Sequence, residues 1–244
     1  MDIVLCGAGG NMGREMIKMI EERDDVRTVA AVDIVPLHRD CPCYQSMDDV
    51  VENCDVVVDF SHRSSTKSVV EYALRHHSAL VIATTGQTNE EMKIIEDASK
   101  HIAIFLSRNM SYGIALLSSL VSQTAKALPF ADVEIVESHH SQKKDAPSGT
   151  ALMLAKCTDK PRIVSGRTDA EPRQCGEVGI SSLRLGNDIG GHEVIFDTGC
   201  ERITLQHQAY SRTLYADGAM QAIAFIANKT AGLYDMNDLL KNQR

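Results

Sequence analysis

The sequence predicts an α/β protein: a parallel sheet built from both ends of the chain, with an α+β domain inserted between them. Three observations predict it. The chain begins with an apolar run that turns on glycines into an amphipathic segment. Apolar runs then alternate with helix-like segments up to residue 106, the order expected of a parallel sheet with crossover helices. Beyond residue 130 the pattern changes to strands of strict alternation, and a strongly apolar helix returns near the C-terminus.

The first element, DIVLC at residues 2–6, is a short buried strand ending in Gly7-Ala8-Gly9-Gly10-Asn11-Met12-Gly13. After it, Met16, Ile17, Met19 and Ile20 recur at helical spacing. Strand, glycine turn and helix in that order are the context a dinucleotide-binding fingerprint requires, so the first domain reads as a Rossmann-type nucleotide domain. Gly7 permits the tight turn, and Gly9 and Gly10 let the backbone approach a pyrophosphate. Gly13 falls one residue later than the usual spacing. A second strand over 28–32 ends in Asp33, twenty residues after Gly13, where an acidic residue contacts the adenosine ribose hydroxyls.

A third strand, DVVVDF at 55–60, leads through Ser61-His62 into a helix over 64–76. A fourth, 79–83, ends in Ala83-Thr84-Thr85-Gly86; a helix over 89–100 and a strand over 102–106 lead to Ser107-Arg108-Asn109-Met110-Ser111. Small hydroxyl residues at the carboxyl ends of parallel strands lie where such a sheet meets its cofactor. A helix over 111–128 carries the chain out of this domain. A helix over 211–228 and a packing segment over 234–240 return to it. The expected division is therefore 1–110 with 211–244 as the dinucleotide-binding domain, and 111–210 as a second, inserted domain.

Composition excludes several classes. At 244 residues, 43% hydrophobic and 24% charged, the chain suits a globular protein of one large or two modest domains. A net charge of −8 argues against general nucleic-acid binding, so an anion site must be a local pocket. No apolar run reaches the roughly 18 residues of a membrane span. The N-terminus lacks a basic region and enters a strand at once, which is not the pattern of a signal peptide. Seven cysteines leave one unpaired, and their scatter fits reduced thiols in a cytoplasmic protein. Cys41-Pro42-Cys43 with Cys54 lacks a fourth ligand at a convincing spacing, so no metal is expected.

The inserted domain opens with the densest stretch of chemistry, EIVESHHSQKKDAPSGTA at 134–151. Alternation over 131–137 reads as a half-buried strand, and Ser148-Gly149-Thr150 as a helix start. Between them lies a polar loop presenting His139, His140, Lys143, Lys144 and Asp145. Helix N-terminal amides attract an anion, histidine titrates near neutrality, and lysine supplies a compact positive donor. Such a site suits an acid that must also receive a proton. Residues 162–190 read as irregular, with Gly166-Arg167 and EVGISSLR at 177–184 as their firmest pieces. HEVIF at 192–196 and RITLQH at 202–207 read as a hairpin.

The stretch at 134–151 resembles the signature of the dihydrodipicolinate reductase (4-hydroxy-tetrahydrodipicolinate reductase) family, E-[IV]-x-E-x-H-H-x-x-K-x-D-A-P-S-G-T-A, and meets it at every fixed position. The resemblance implies reduction of 4-hydroxy-tetrahydrodipicolinate to tetrahydrodipicolinate with NAD(P)H and loss of water, in diaminopimelate and lysine biosynthesis. It implies His139 as acid/base and Lys143 as second proton donor, with His140, Gly149 and Thr150 binding a substrate carboxylate. Asp145 is expected to shape the loop. For the cofactor it implies Gly7, Ala8, Gly9, Gly10, Asn11, Met12 and Asp33. Ala83, Thr84, Thr85, Ser107, Arg108, Asn109 and Met110 would lie toward the nicotinamide. The hairpin and its neighbours resemble the family's open mixed sheet, whose exposed face joins subunits into a homotetramer.

This chain departs from the family where basic residues often receive an NADP phosphate: Ile34 follows Asp33, and Asn11 stands in the glycine turn. An anionic Asp33 without a neighbouring cation should repel a 2′-phosphate, so NADH is expected to be preferred over NADPH; Arg39 would offset this if its loop folds back. The segment after the Asp33 strand and the loop over 166–177 look short, and tryptophan is absent. Two rival readings share the glycine turn. Another amino-acid dehydrogenase, such as a diaminopentanoate-type enzyme, would not retain the whole HHSQKKDAPSGTA run. A nucleotide-sensing protein would bind cofactor without turnover and tolerate replacement of His139 and Lys143.

Overall fold

The structure, a computed structural model, describes residues 1–167 and 171–242. The chain divides into two compact units, Met1–Ser111 with Thr213–Arg244, and Tyr112–Arg212. Part of the loop expected over 166–177 and the last two residues of the chain lie outside the described residues.

In the first unit, β1 (Asp2–Cys6), β2 (Arg27–Val32), β3 (Cys43–Tyr44), β4 (Val56–Asp59), β5 (Ala79–Ile82), β6 (Ala103–Leu106) and β12 (Gly232–Tyr234) form one sheet in the order β12-β6-β5-β4-β1-β2-β3. Every pairing in it is parallel. Helices α1 (Asn11–Glu21), α2 (Thr66–His76), α3 (Asn89–Ala98), α6 (Thr213–Ile226) and α7 (Met236–Lys241) belong to the same unit. The strands β1, β4, β5 and β6 bury nearly all their side chains, which is why they read as continuous apolar runs rather than alternations. The order reverses at β1, which lies between β4 and β2. In such sheets the carboxyl end of the strand at the reversal opens the crevice that takes a ligand.

Helix boundaries follow local chemistry. Thr88 caps α3 in a reciprocal capping box with Glu91, and His77 ends α2 in the left-handed conformation. Two strands here go beyond what the sequence predicts. β3 is two residues long, and the three residues of β12 end where the packing segment expected over 234–240 begins. Both sit at sheet edges, where a few hydrogen bonds suffice and no apolar period can build up.

The second unit has α4 (Tyr112–Ala127), β7 (Asp132–His139), α5 (Gly149–Lys156), β8 (Arg162–Ser165), β9 (Glu177–Arg184), β10 (Gly190–Asp197) and β11 (Arg202–Ala209). Its sheet runs β11-β10-β7-β9-β8. β10 is antiparallel to β7 and β11, whereas β7, β9 and β8 are parallel, so the sheet is mixed. Val133, Ile135, Val178, Ile180, Val194 and Phe196 pack with Leu117, Val121 and Leu154 from α4 and α5. The opposite face carries Leu183, exposed, and Ile195, half-buried.

Two expectations need correction. Residues 162–190 are not irregular throughout: β8 opens them, and the firm piece expected at 177–184 is the strand β9. Gly179 and the two serines hide the alternation of β9; a Cβ at Gly179 would lie 1.9 Å from Oε2 of Glu134, its partner across the sheet. β7 also continues two residues past its expected end, so His139 belongs to a strand rather than to the loop.

Candidate active site

Two groups of residues carry chemistry, one in each unit. In the first, the loop after β1 is shaped by contacts that no side chain would permit. A Cβ on Gly7, whose φ is +75°, would lie 2.6 Å from the Phe60 carbonyl, and one on Gly13 would lie 2.2 Å from the Gly7 oxygen. Gly10 stands at the N-cap of α1 with no side-chain cap, leaving the first amides of that helix for another acceptor. Asp33 Oδ2 accepts from the Gly9 amide at 2.8 Å, and Oδ1 from the Val35 amide at 3.0 Å.

A cavity of about 560 Å³ opens beside this loop; Gly7, Gly10, Asp33, Ile34, Gln45 and His62 are among its lining residues. Of the sequence-expected cofactor residues it brings together Gly7, Gly10 and Asp33. Ala8 is fully buried, Asn11 is exposed and accepts from Arg14, and Met12 is half-buried. Gln45, Ser46 and the serines at 61, 64, 65 and 68 went unremarked as candidates, because a short edge strand and serine-rich loops carry no spacing signal.

At the carboxyl ends of β5 and β6 the remaining candidates make local bonds. Thr84 is buried and donates to Asp59 at 3.2 Å, while Ala83 is half-buried and Thr85 exposed. Asp59 is wholly buried, and burial raises its carboxyl above the usual range against bonds from Ser61 and Thr84. Ser107 donates to the Asn109 carbonyl at 2.7 Å, and Asn109 Oδ1 accepts from the Ser111 amide at 2.9 Å. Arg108 is exposed. Met110 is buried, its carbonyl pressed where a Cβ on Gly218 would stand 1.7 Å away.

The second group is set by strand register. On β7 the side chains of Val133, Ile135, Glu137 and His139 all fall on the covered face, since residues two apart share a face. The strand therefore carries a carboxylate and an imidazole inward with its core residues. Register sets His192 of β10 and Ser182 of β9 opposite Glu137, and Arg184 opposite His139.

Glu137 is 0% exposed, and a bare charge at such a site would be costly. Its Oε2 bonds to His139 Nδ1, and Oε1 accepts from Arg184 at 3.0 Å. Burial pushes the Glu137 carboxyl up, but bonds from Ser182, Arg184 and His139 outweigh it and hold it below the usual range. Burial lowers His139, partly countered by Glu137. The His192 ring meets His139 edge-on at 5.2 Å, and its Nε2 lies 3.3 Å from Ser148 Oγ. Burial, with repulsion from His139, pushes His192 down to about 4, so it is neutral near pH 7.

The loop after β7 is tied to this cluster. Arg184 donates to the Asp145 carbonyl at 2.6 Å, and Lys143 Nζ pairs with Asp145 Oδ1 at 2.8 Å. His140 is half-buried and its carbonyl accepts from the Lys143 amide. Ser148 caps α5, its hydroxyl oxygen accepting from the Ala151 amide at 3.1 Å. Gly149 and Thr150 form the first turn of that helix, with open space where a Cβ on Gly149 would be.

His192, Arg184 and Ser182 were not among the expected site residues. Alternation puts His192 on the face of Val194 and Phe196, but nothing local marks it, Arg184 or Ser182 as a neighbour of Glu137. Which strands are neighbours is not written locally. Among the described residues, Glu137, His139 and His192 bring one donor atom each within 4.8 Å of one another, a spacing a metal ion can bridge. The carboxylate is already shared between an imidazole and a guanidinium, whose positive charge works against a cation there.

A parallel nucleotide-type sheet in one unit and a buried acid–base cluster in the other define a nicotinamide-nucleotide-dependent oxidoreductase. Known proteins narrow this class. Residues 1–110 match the family model for the dihydrodipicolinate reductase N-terminus, and residues 113–240 that for its C-terminus. The chain is 43% identical to a 4-hydroxy-tetrahydrodipicolinate reductase of Caldanaerobacter subterraneus subsp. tengcongensis, over 98% of each chain. It is 40% identical to the enzyme of that name from Clostridium tetani, over 98% of this chain and 97% of the other. A dipicolinate-bound dihydrodipicolinate reductase from Paenisporosarcina sp. TG-14 superposes with a TM-score of 0.83 at 23% identity, covering 97% of this chain and 98% of that one. The chain belongs to the dihydrodipicolinate reductase family. No helix among the described residues is long and apolar enough to cross a membrane.

Proposed function

We infer that the protein reduces 4-hydroxy-tetrahydrodipicolinate to tetrahydrodipicolinate with NAD(P)H and loss of water, in diaminopimelate and lysine biosynthesis. The observation that carries this reading is the complete signature at 134–151, in a chain matched over both halves by that family. The substrate is a small dicarboxylate, the class to which the ligand of the Paenisporosarcina structure belongs. Residues 1–110 with 211–244 serve as the dinucleotide-binding domain, and 111–210 as the substrate-binding and oligomerisation domain. The open face of the mixed sheet joins subunits into a homotetramer, since a partly apolar sheet face calls for a cover. The enzyme works in the cytoplasm, as its free thiols suit.

The glycine loop suits a dinucleotide, because a Cβ at Gly7 or Gly13 would fill the space its backbone needs. Gly7 to Met12 hold the pyrophosphate, and Asp33 the adenosine ribose. Ala83 to Thr85 and Ser107 to Met110 lie toward the nicotinamide. The reduced nicotinamide supplies a hydride when bound. NADH is preferred over NADPH: among the described residues, the cavity beside Asp33 is lined by no lysine or arginine, and Arg39 lines a different cavity, with Arg23 and Arg27.

Loss of water from the substrate leaves an imine conjugated with a carbon–carbon double bond. Hydride addition at the far carbon sends electron density toward the ring nitrogen, and an adjacent carbon then takes a proton. His139 is the acid/base, Lys143 the second proton donor and a counter-charge to the substrate. His140, Gly149 and Thr150 hold one carboxylate at the start of α5.

The test generates the unstable substrate in situ from pyruvate and aspartate semialdehyde with the preceding synthase, and follows NADH and NADPH oxidation separately. Rapid oxidation that depends on the synthase is expected, faster with NADH. No oxidation with either nucleotide, despite demonstrable nucleotide binding, would overturn the assignment. Equal constants with both would overturn the preference.

A further inference from the structure

Glu137 combines complete burial with a charge; His139 lies two residues along the same strand, and register with β9 supplies Ser182 and Arg184. A carboxylate only accepts hydrogen bonds, so the ring nitrogen facing Oε2 must carry the proton. Neutral His139 is then the Nδ1–H tautomer, with its lone pair on Nε2. On that side stands Gly190, where a Cβ would lie 3.0 Å from Nε2, tighter than ordinary contact. The loop before Gly190 is held by Asp188, which accepts from the Gly190 amide at 3.0 Å and from Ser138 and Gln208.

We propose that Glu137 and Gly190 are positioning residues for His139: the carboxylate fixes the ring as the Nδ1–H tautomer, and the absent side chain keeps Nε2 clear to exchange a proton with substrate. This rests on the reading of His139 as the acid/base. Arg184 belongs to the same device. Its guanidinium bonds one carboxylate oxygen and the Asp145 carbonyl, so it keeps Glu137 ionised while tying down the loop that bears Lys143. The charged and titratable groups around His139 are Glu137 on its own strand, Arg184 on β9, His192 on β10, and Lys143 and Asp188 in the adjoining loops. Glu137 is the negative group bonded to the ring. Removing its charge should make the imidazolium harder to form without removing the ring.

The test is long-range proton–nitrogen NMR on the full-length protein labelled at histidine nitrogen, with His139→Gln to assign the signal, alongside steady-state kinetics. The expected wild-type result is an Nδ1–H tautomer for His139 above its titration. Glu137→Gln should mix the tautomers and lower the His139 midpoint by about one pH unit. It should also reduce kcat about 10- to 100-fold while KM for NADH stays within about twofold. Glu137→Asp, which keeps the charge, should recover part of both changes. Gly190→Ala should lower kcat with the tautomer unchanged. An Nε2–H tautomer in the wild type, or an unmoved midpoint in Glu137→Gln, overturns the role of Glu137; normal kcat in Gly190→Ala overturns that of Gly190. Should Glu137→Gln fail to fold, the wild-type tautomer and Gly190→Ala still decide. The NMR needs no turnover, so an inactive wild type would refute the proposed reaction while leaving the tautomer result to stand alone.

Discussion

The loop after β1 and the Glu137 end of the mixed sheet's covered face both carry polar groups, but they are made of different materials. In the first, backbone amides and missing side chains shape the surface: Gly7 and Gly13 pack where no Cβ fits, and the Gly9 and Val35 amides hold the Asp33 carboxylate. In the second, four side chains from three strands share charge and protons: Glu137, His139, Arg184 and His192. A site of the first kind should fail by steric intrusion and lose nucleotide affinity. One of the second kind should fail electrostatically and lose turnover or pH tolerance while its shape survives.

The largest effect that would sharpen this contrast is Lys143→Ala. Lys143 is ion-paired with the exposed Asp145 of its own loop, so its removal should leave the fold intact. We expect kcat to fall by about 10²- to 10⁴-fold, with NADH affinity by fluorescence titration changed less than about threefold. Near-normal turnover would break the contrast at once.

Gly13→Ala tests the other side. Its Cβ would lie 2.2 Å from the Gly7 oxygen and 2.6 Å from Ala8 Cα, both backbone atoms that cannot swing aside. The expected cost is about 3 kcal/mol of stability in urea unfolding, with at least about tenfold weaker NADH binding. Wild-type stability would mean that the loop yields and that shape is not what it contributes.

Acid titration should separate the two regions by a comparable amount. His192 is pushed down to about 4, and burial also lowers His139. Between about pH 6.5 and pH 4 the unfolded chain therefore binds protons that the folded one refuses. Stability from these histidines is intact above about 6.5 and is lost as pH falls toward 4, on the order of 3 kcal/mol for His192. Urea midpoints at pH 7.5 and pH 4.5 should show this loss, and His192→Gln should blunt it. A variant with the wild-type pH dependence would show that His192 is not buried as a neutral ring.

The smallest expected effect concerns cofactor choice. Ile34→Arg adds a cation beside Asp33 in a cavity whose described lining has none, and should shift the ratio of kcat/KM for NADPH over NADH upward by about tenfold. An unchanged ratio would place the 2′-hydroxyl elsewhere.

Legibility in the sequence divided along the same line. The glycine loop and the cap at Ser148 rest on rules that act within a turn or two of chain, and Asp33 on a fixed spacing from the glycines within one strand–helix–strand unit. β3, β8 and β12 escaped notice because short, edge or mostly exposed strands need few apolar residues. His139 was assigned to a loop because a charged residue at the end of a strand looks like surface until its neighbours are known. His192 and Arg184 lie 53 and 45 residues beyond it in the chain, and nothing local marks either one.

By itself the sequence determined the family, the parallel nucleotide sheet and the residues that can handle a proton, because motif spacing and apolar period are local properties of a chain. Only the tertiary structure decided that β10 and β9 flank β7, and with that register came the partners of a buried carboxylate. Glu137 can be ionised inside the protein because the fold brings Arg184 and Ser182 within bonding distance, and pairing between distant strands is decided by the packing of the whole sheet.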